Sequence, residues 1–218
     1  MEAERSRGQH AGLDARTIRR AAIRLVDREG VSALSMRGLG AELGVKAMAL
    51  YHHFPNKEAL LDGMVEEIVT ATPVAVEGGD WQEGLGEYAR TRLGDLMEHP
   101  NLVPLLLSRP GDTEGNHRMM EELLRLLGAA GFPPVRALDM VYALNALVLV
   151  HAALAVDAGG ASTPVGEAGQ NARLMALPPR TYPLLNRAAH EAADRGPTAR
   201  FEFALEALLS GFAEARER

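Results

Sequence analysis

Residues 35–54, SMRGLGAELGVKAMALYHHF, decide the fold. They read as two short helices joined by a turn at Gly44-Val45, the arrangement that lays a second helix in the major groove of DNA. Ser35 is placed to cap the first of them, Met36 to Leu43. The second runs from Ala47 to His53 and stops before Pro55, because the residue preceding a proline is pushed out of the helical region. A plain helical hairpin would share this spacing. The chemical content favours DNA: the exposed positions are Lys46, Ala47, Met48, Tyr51 and His52, small or donor-bearing side chains next to Lys57.

Working outward, Asp14 caps a preceding helix whose inward stripe is Ile18, Ala22 and Leu25 and whose stop is Gly30. Asn56 caps a following helix that carries Leu60, Leu61, Met64, Val65 and Ile68 and ends near Thr72, where Pro73 and Gly78-Gly79 break the pattern. Apolar residues then recur at helical spacing over 81–98, 101–107, 115–130, 134–157, 182–194 and 198–216. The Gly- and Pro-rich stretch 158–180 reads as a loop with one helical turn around Asn171 to Leu177. The expected fold is all-α. It comprises a flexible arm at 1–13, a three-helix helix-turn-helix DNA-binding domain at 14–57, and a helical ligand-binding and dimerisation domain at 58–218. Helix 56–72 connects the two domains.

The net charge of −6 over 218 residues is unevenly spread. Residues 1–57 hold ten Lys or Arg against six Asp or Glu, net +4, whereas 58–218 hold thirteen against twenty-three, net −10. A basic module on an acidic body suits a chain in which one end approaches phosphates. The absence of cysteine excludes disulfides, thiolate nucleophiles and cysteine-ligated zinc. Residues 1–10 lack the apolar core of a signal peptide, so a cytoplasmic location is expected. The apolar run from Met140 to Val156 carries Asn145 and His151 and falls short of the ~20 residues of a bilayer span. It reads as a helix buried on all sides, with no membrane partner.

The run Leu39, Leu43-Gly44-Val45, Leu50-Tyr51, His53-Phe54, Asn56-Lys57, Leu60-Leu61-Asp62 resembles the signature of the TetR family of repressors. Further along, Asp80-Trp81-Gln82, Ser108-Arg109-Pro110, Gly131-Phe132 and Ala137-Leu138 resemble the ligand-binding domain of its tetracycline-repressor-like branch. The resemblance implies a homodimer in which each subunit sets its third helix into half of a palindromic double-stranded operator and is released by a small-molecule inducer. It places Arg37, Lys46, Ala47 and Met48 at base edges, with Arg37 reading guanine. Tyr51, His53 and Lys57 fall at phosphates, and Ser35 and His52 complete the expected interface. In that branch a histidine and a glutamate hold a magnesium–drug chelate. Leu105 and Leu154 stand there in this chain, and Pro73 and Tyr88 stand at two further drug-contacting positions. No metal or cofactor is therefore expected, and the effector should be an apolar molecule with a polar or anionic group, not tetracycline.

The residues expected to face an effector cavity are Tyr88, Arg92, Leu96, Leu105, Arg109, Met120, Leu123, Leu138, Val141 and Asn145, apolar with a few convergent polar groups. Arg92 and Arg109 would favour an anionic or carbonyl-rich ligand; otherwise each pairs with an acid such as Glu87, Asp95 or Asp112. Asn145 reads equally well as a buried amide bonded to backbone. The expected dimer interface is Leu147, His151 and Leu154 with Phe201, Leu205, Leu208 and Phe212, the last four at near-heptad spacing. Other readings carry less weight. His52 and His53 are adjacent and point about 100° apart on a helix, unlike an i, i+4 metal pair. Gly38-x-Gly40-x-x-x-Gly44 misses the dinucleotide fingerprint and follows no strand. Ser108 and Ser210 lack the partners of a nucleophile, so the chain is not read as an enzyme. The alternatives kept are a helical interaction scaffold with a vestigial helix-turn-helix, and an activator.

Overall fold

In a computed structural model of the chain, the described residues are 13–72, 74, 80–109, 111–156, 167–195 and 198–216. The arm at 1–12, Pro73, Gly78-Gly79, Pro110 and the stretch 157–166 lie outside them. Among the described residues the helices are α1 (Ala15–Glu29), α2 (Met36–Glu42), α3 (Ala47–Tyr51), α4 (Lys57–Val69), α5 (Trp81–Glu98), α6 (Val103–Ser108), α7 (Glu114–Ala129), α8 (Pro134–Val156), α9 (Glu167–Met175), α10 (Pro183–Glu191) and α11 (Ala199–Arg216), and there is no strand.

The helix starts follow from local chemistry. Asp14, Ser35, Asn56, Asp80 and Thr113 each accept a hydrogen bond from a backbone N–H of the first turn they precede. Gly30 and Gly44 adopt φ of 81° and 68°, which a side-chain-bearing residue rarely takes. Several boundaries differ from the sequence expectation by a few residues, α4 ending at Val69 and α10 at Glu191 among them, and three regions differ in kind or extent. A 3-10 turn, Val31–Ala33, fills the space between α1 and α2. Helix α3 ends at Tyr51 instead of His53, because the N–H groups of His53 and Phe54 both turn back to the Leu50 carbonyl ahead of Pro55. In place of a single turn near Asn171, α9 is a full helix from Glu167. It is held to α10 by Asn171 donating to Ala189 O and by Asn186 donating to Met175 O and Leu177 O.

The core is continuous through α1 to α8 and α11. At the N-terminal end Ile18, Ala22, Leu39, Leu50, Leu60 and Met64 pack α1 to α4 together. In the body α8 is the central rod, against which α5, α6, α7 and α11 pack. Trp81 meets Phe132 edge-on at 5.0 Å, which fixes the start of α5 beside the α7–α8 turn. Helix α8 is not buried on all sides as expected. It is long and apolar enough to cross a bilayer, yet Val135, Tyr142, Val150 and Leu154 are exposed along it while Val141, Leu144 and Val148 are buried.

Candidate DNA-reading surface and sensor core

At the helix-turn-helix, Gly40 is the residue that allows α2 and α3 to cross closely. A Cβ there would stand 3.0 Å from Val45 O and 3.2 Å from Ala47 N, both backbone atoms. Leu39 and Leu50 lock the inner faces. The opposite side leaves Lys46, Met48, Tyr51, His52 and His53 exposed, Met48 at 68%, while Ala47 and Lys57 are half-buried. Ser35 caps α2 through Gly38 N–H at 3.0 Å, and Arg37 emerges exposed from the first turn of α2. Arg37, Lys46 and Lys57 make no ion pair among the described residues, so three cations stand free next to one exposed helix.

The body neutralises the acids that would oppose them. Arg109, its side chain 16% exposed, binds both Glu58 and Asp62 on the first two turns of α4. This corrects the expectation that Arg109 faces an effector cavity: the ion pairs draw it to α4, and its partners are neither Asp95 nor Asp112. Other body residues grip the N-terminal module too. Asn101 donates to Val26 O and Asp27 O at the end of α1. His99 Nδ1 lies 2.9 Å from Asp27 Oδ2. Gly115 N–H donates to Glu66 on α4. None of these contacts has a local sequence signal, because each joins residues far apart in the chain.

Inside the body, nine of the ten expected effector-facing residues are buried or half-buried among α5 to α8. Leu96, Leu123 and Val141 are wholly buried, Leu105 nearly so, and Met120 and Leu138 are half-buried. The Tyr88 hydroxyl lies 3.1 Å from Asn145 Oδ1, to which it donates, and 3.3 Å from Met119 Sδ. Burial raises the Tyr88 phenol above its ordinary range, with the nearby Arg92 charge opposing. Arg92 is itself buried and finds no carboxylate within hydrogen-bond distance among the described residues; it donates to Ile68 O near the end of α4. Burial lowers its affinity for the proton, with Tyr88 and Asp95 opposing. Asp95 is engaged by the Thr72 hydroxyl. A buried cation on a backbone carbonyl, beside a Tyr–Asn pair, is the polar focus of an otherwise apolar core.

The expected dimer set divides. Phe201 and Leu205 are buried within the protomer, 1% and 0% exposed, and are corrected to core: α11 turns them inward onto α8, where His151 meets the Phe201 ring edge-on at 5.3 Å. Leu147, His151, Leu208 and Phe212 are half-buried and Leu154 is exposed. The exposed apolar residues of these helices left out of the expected interface are Val135, Tyr142, Val150 and Phe203, the last 69% exposed. A burial pattern alone would have needed the true rotation of each helix to find them.

Two family models match the chain, one for bacterial regulatory proteins of the tetR family over residues 18–64 and one for the tetracyclin repressor-like C-terminal domain over 72–216. The chain belongs to the TetR family. As a TetR-family member with a tetracycline-repressor-like C-terminal domain, it is a DNA-binding transcriptional regulator. It is 32% identical to the class A tetracycline repressor from transposon 1721 of Escherichia coli, over 94% of this chain and 92% of that one. It is 29% identical to the transcriptional repressor Rv1353c of Mycobacterium tuberculosis, over 94% and 82%. Among solved structures, the TetR-family protein ActR of Streptomyces coelicolor in complex with actinorhodin superposes with a TM-score of 0.80 at 28% identity, covering 94% of this chain and 97% of ActR.

Proposed function

We propose that this TetR-family regulator is a homodimeric repressor that binds a palindromic operator through α3 and is released by a small-molecule effector held in the body. The three unpaired cations around an exposed α3, with Glu58 and Asp62 at the start of α4 tied up by Arg109, carry the DNA reading. Residues 14–57 form the DNA-binding unit and 58–218 the sensing and dimerising unit. Arg37 and the Lys46–Met48 segment read bases, and Tyr51, His53 and Lys57 contact phosphates. The experiment is selection of bound genomic fragments by the purified protein, followed by footprinting. The expected result is an inverted repeat whose half-sites lie about one helical turn apart or slightly more; enrichment of a lone asymmetric half-site overturns the dimeric reading.

The effector reading rests on the Tyr88, Arg92 and Asn145 cluster. Its ligand is a mostly apolar molecule with a polar or anionic group able to draw Arg92 from Ile68 O, since a buried guanidinium without a partner is costly. Because Ile68 lies at the end of α4, that exchange alters the helix that leads to the DNA-binding unit. A ligand shifts the equilibrium only by its preference for one arrangement over the other. Leucines at positions 105 and 154 offer no ligand to magnesium. Release of labelled operator by an inducer should therefore be unchanged by EDTA, and a strict requirement for magnesium would refute this reading.

A further inference from the structure

A cavity lies where the N-terminal module meets the body, and neither Tyr88 nor Asn145 is among its lining residues. Its volume is about 620 Å³, within the range of metabolite pockets. Its walls include Arg16, Arg20 and Arg24 of α1, Glu67 of α4 and His99 from the end of α5, over a floor of Ile23 and Ile68. The three arginines recur every four residues and so form one stripe, rising about 6 Å per step. Like charges at this spacing repel. The acids present do not cancel them. Glu67 is engaged by Arg19 at 3.0 Å and more distantly by Arg16 at 3.9 Å, and Asp27 is engaged by His99. Arg20 and Arg24 have no acidic partner among the described residues.

We propose that this groove binds a small, multiply charged phosphate-bearing anion, making it a second ligand site at the junction of the DNA-binding and sensing parts. Guanidinium groups match phosphate oxygens in paired hydrogen bonds, and a row of them suits a ligand with more than one phosphate. Ile23 and Ile68 offer an apolar floor to the rest of the ligand. The row is not simply an extension of the DNA face. The N-cap of α1, Asp14, lies within electrostatic reach of His53, and Asp27 in its last turn is bound by His99 of the body. Arg24 therefore lies two helical turns beyond Arg16, towards the body. An anion held between α1 and His99 ties the module to the sensor beside Ile68, whose carbonyl Arg92 holds.

The test uses the full-length protein without DNA, titrated calorimetrically with inorganic pyrophosphate and with ATP at about physiological salt. Saturable binding at one site per protomer is expected, with a matching rise in melting temperature because the ligand binds only the folded chain. The double variant Arg20→Ala/Arg24→Ala should weaken that binding at least tenfold and lose the thermal shift while keeping the helical circular dichroism of the parent. Arg136→Ala/Arg180→Ala, which removes the same charge from exposed sites outside the groove, should bind like the parent. Affinity of the Arg20→Ala/Arg24→Ala protein for a duplex of mixed sequence should fall less than twofold. Absence of saturable binding by either probe, equal loss in both double variants, or a tenfold loss of duplex binding would each overturn the proposal, the last by showing the row to be a DNA contact.

Discussion

At the scale of single residues the DNA face separates two kinds of cation. Arg37 has a planar fork able to read guanine in paired hydrogen bonds, whereas Lys57 is a point charge at the first turn of α4. Arg37→Ala should cost roughly 1–3 kcal/mol on the operator and relax preference at one base pair. Lys57→Ala should weaken all sequences alike and flatten the salt dependence by about one unit. Competition binding on single-base operator variants at several salt concentrations separates the two; uniform loss in both removes Arg37 from base reading. Asp14 makes a different test. The Thr17 N–H, and next its hydroxyl, hold the Asp14 carboxyl below its ordinary range. A group whose folded pKa is lowered stabilises above its unfolded value, about 3.9, and loses that contribution as pH falls through the folded one. Asp14→Ala should therefore melt below the parent at pH 7, and thermal scans from pH 7 to pH 2 should show the gap closing only below about pH 4.

At the scale of elements, the angle between α2 and α3 depends on what fits between them. At Gly40 a single added methyl meets backbone at 3.0 Å and 3.2 Å, and backbone cannot rotate away as a side-chain tip does. Gly40→Ala should cost about 1–3 kcal/mol of stability and displace α3, so that operator affinity falls further than stability alone accounts for. Chemical denaturation together with a gel-shift titration checks this; a variant with parental stability and affinity would show that the turn relaxes freely. Helix α4 is held along its length instead of at one point. Arg109 binds its start, Gly115 N–H its Glu66, and Arg92 its Ile68 carbonyl.

For the whole molecule, Tyr142 and Val150 on α8 and Phe203 on α11 are exposed apolar side chains on the two helices proposed to meet a second subunit. In the proposed homodimer these helices would pack on the same helices of the second subunit about a two-fold axis. The double variant Val150→Asp/Phe203→Asp should sediment as a folded monomer and lose operator affinity at least tenfold. A dimer of unchanged stability would place the interface elsewhere. Phe201→Asp should behave differently: it buries a charge in the protomer core and should unfold the chain.

The sequence by itself determined the features set by neighbours along the chain. The helix starts at Asp14, Ser35 and Asn56, the turn at Gly44, and the exposed face of α3 all follow from caps, glycine and a period of about four residues. That made the all-α fold and the family legible, together with the exposed face of α3 on which the proposed DNA contacts lie. Tertiary structure decided everything that depends on how one helix is rotated against another. Near-heptad spacing put Phe201 and Leu205 at a partner, but packing on α8 turned them inward and left Phe203 outside. Composition put Arg109 in a cavity, but Glu58 and Asp62, 51 and 47 residues away, claimed it. The arginine groove required α1, α4 and the end of α5 to meet. Spacing within a helix says which residues share a face; only the energy of packing many helices together says which way that face points.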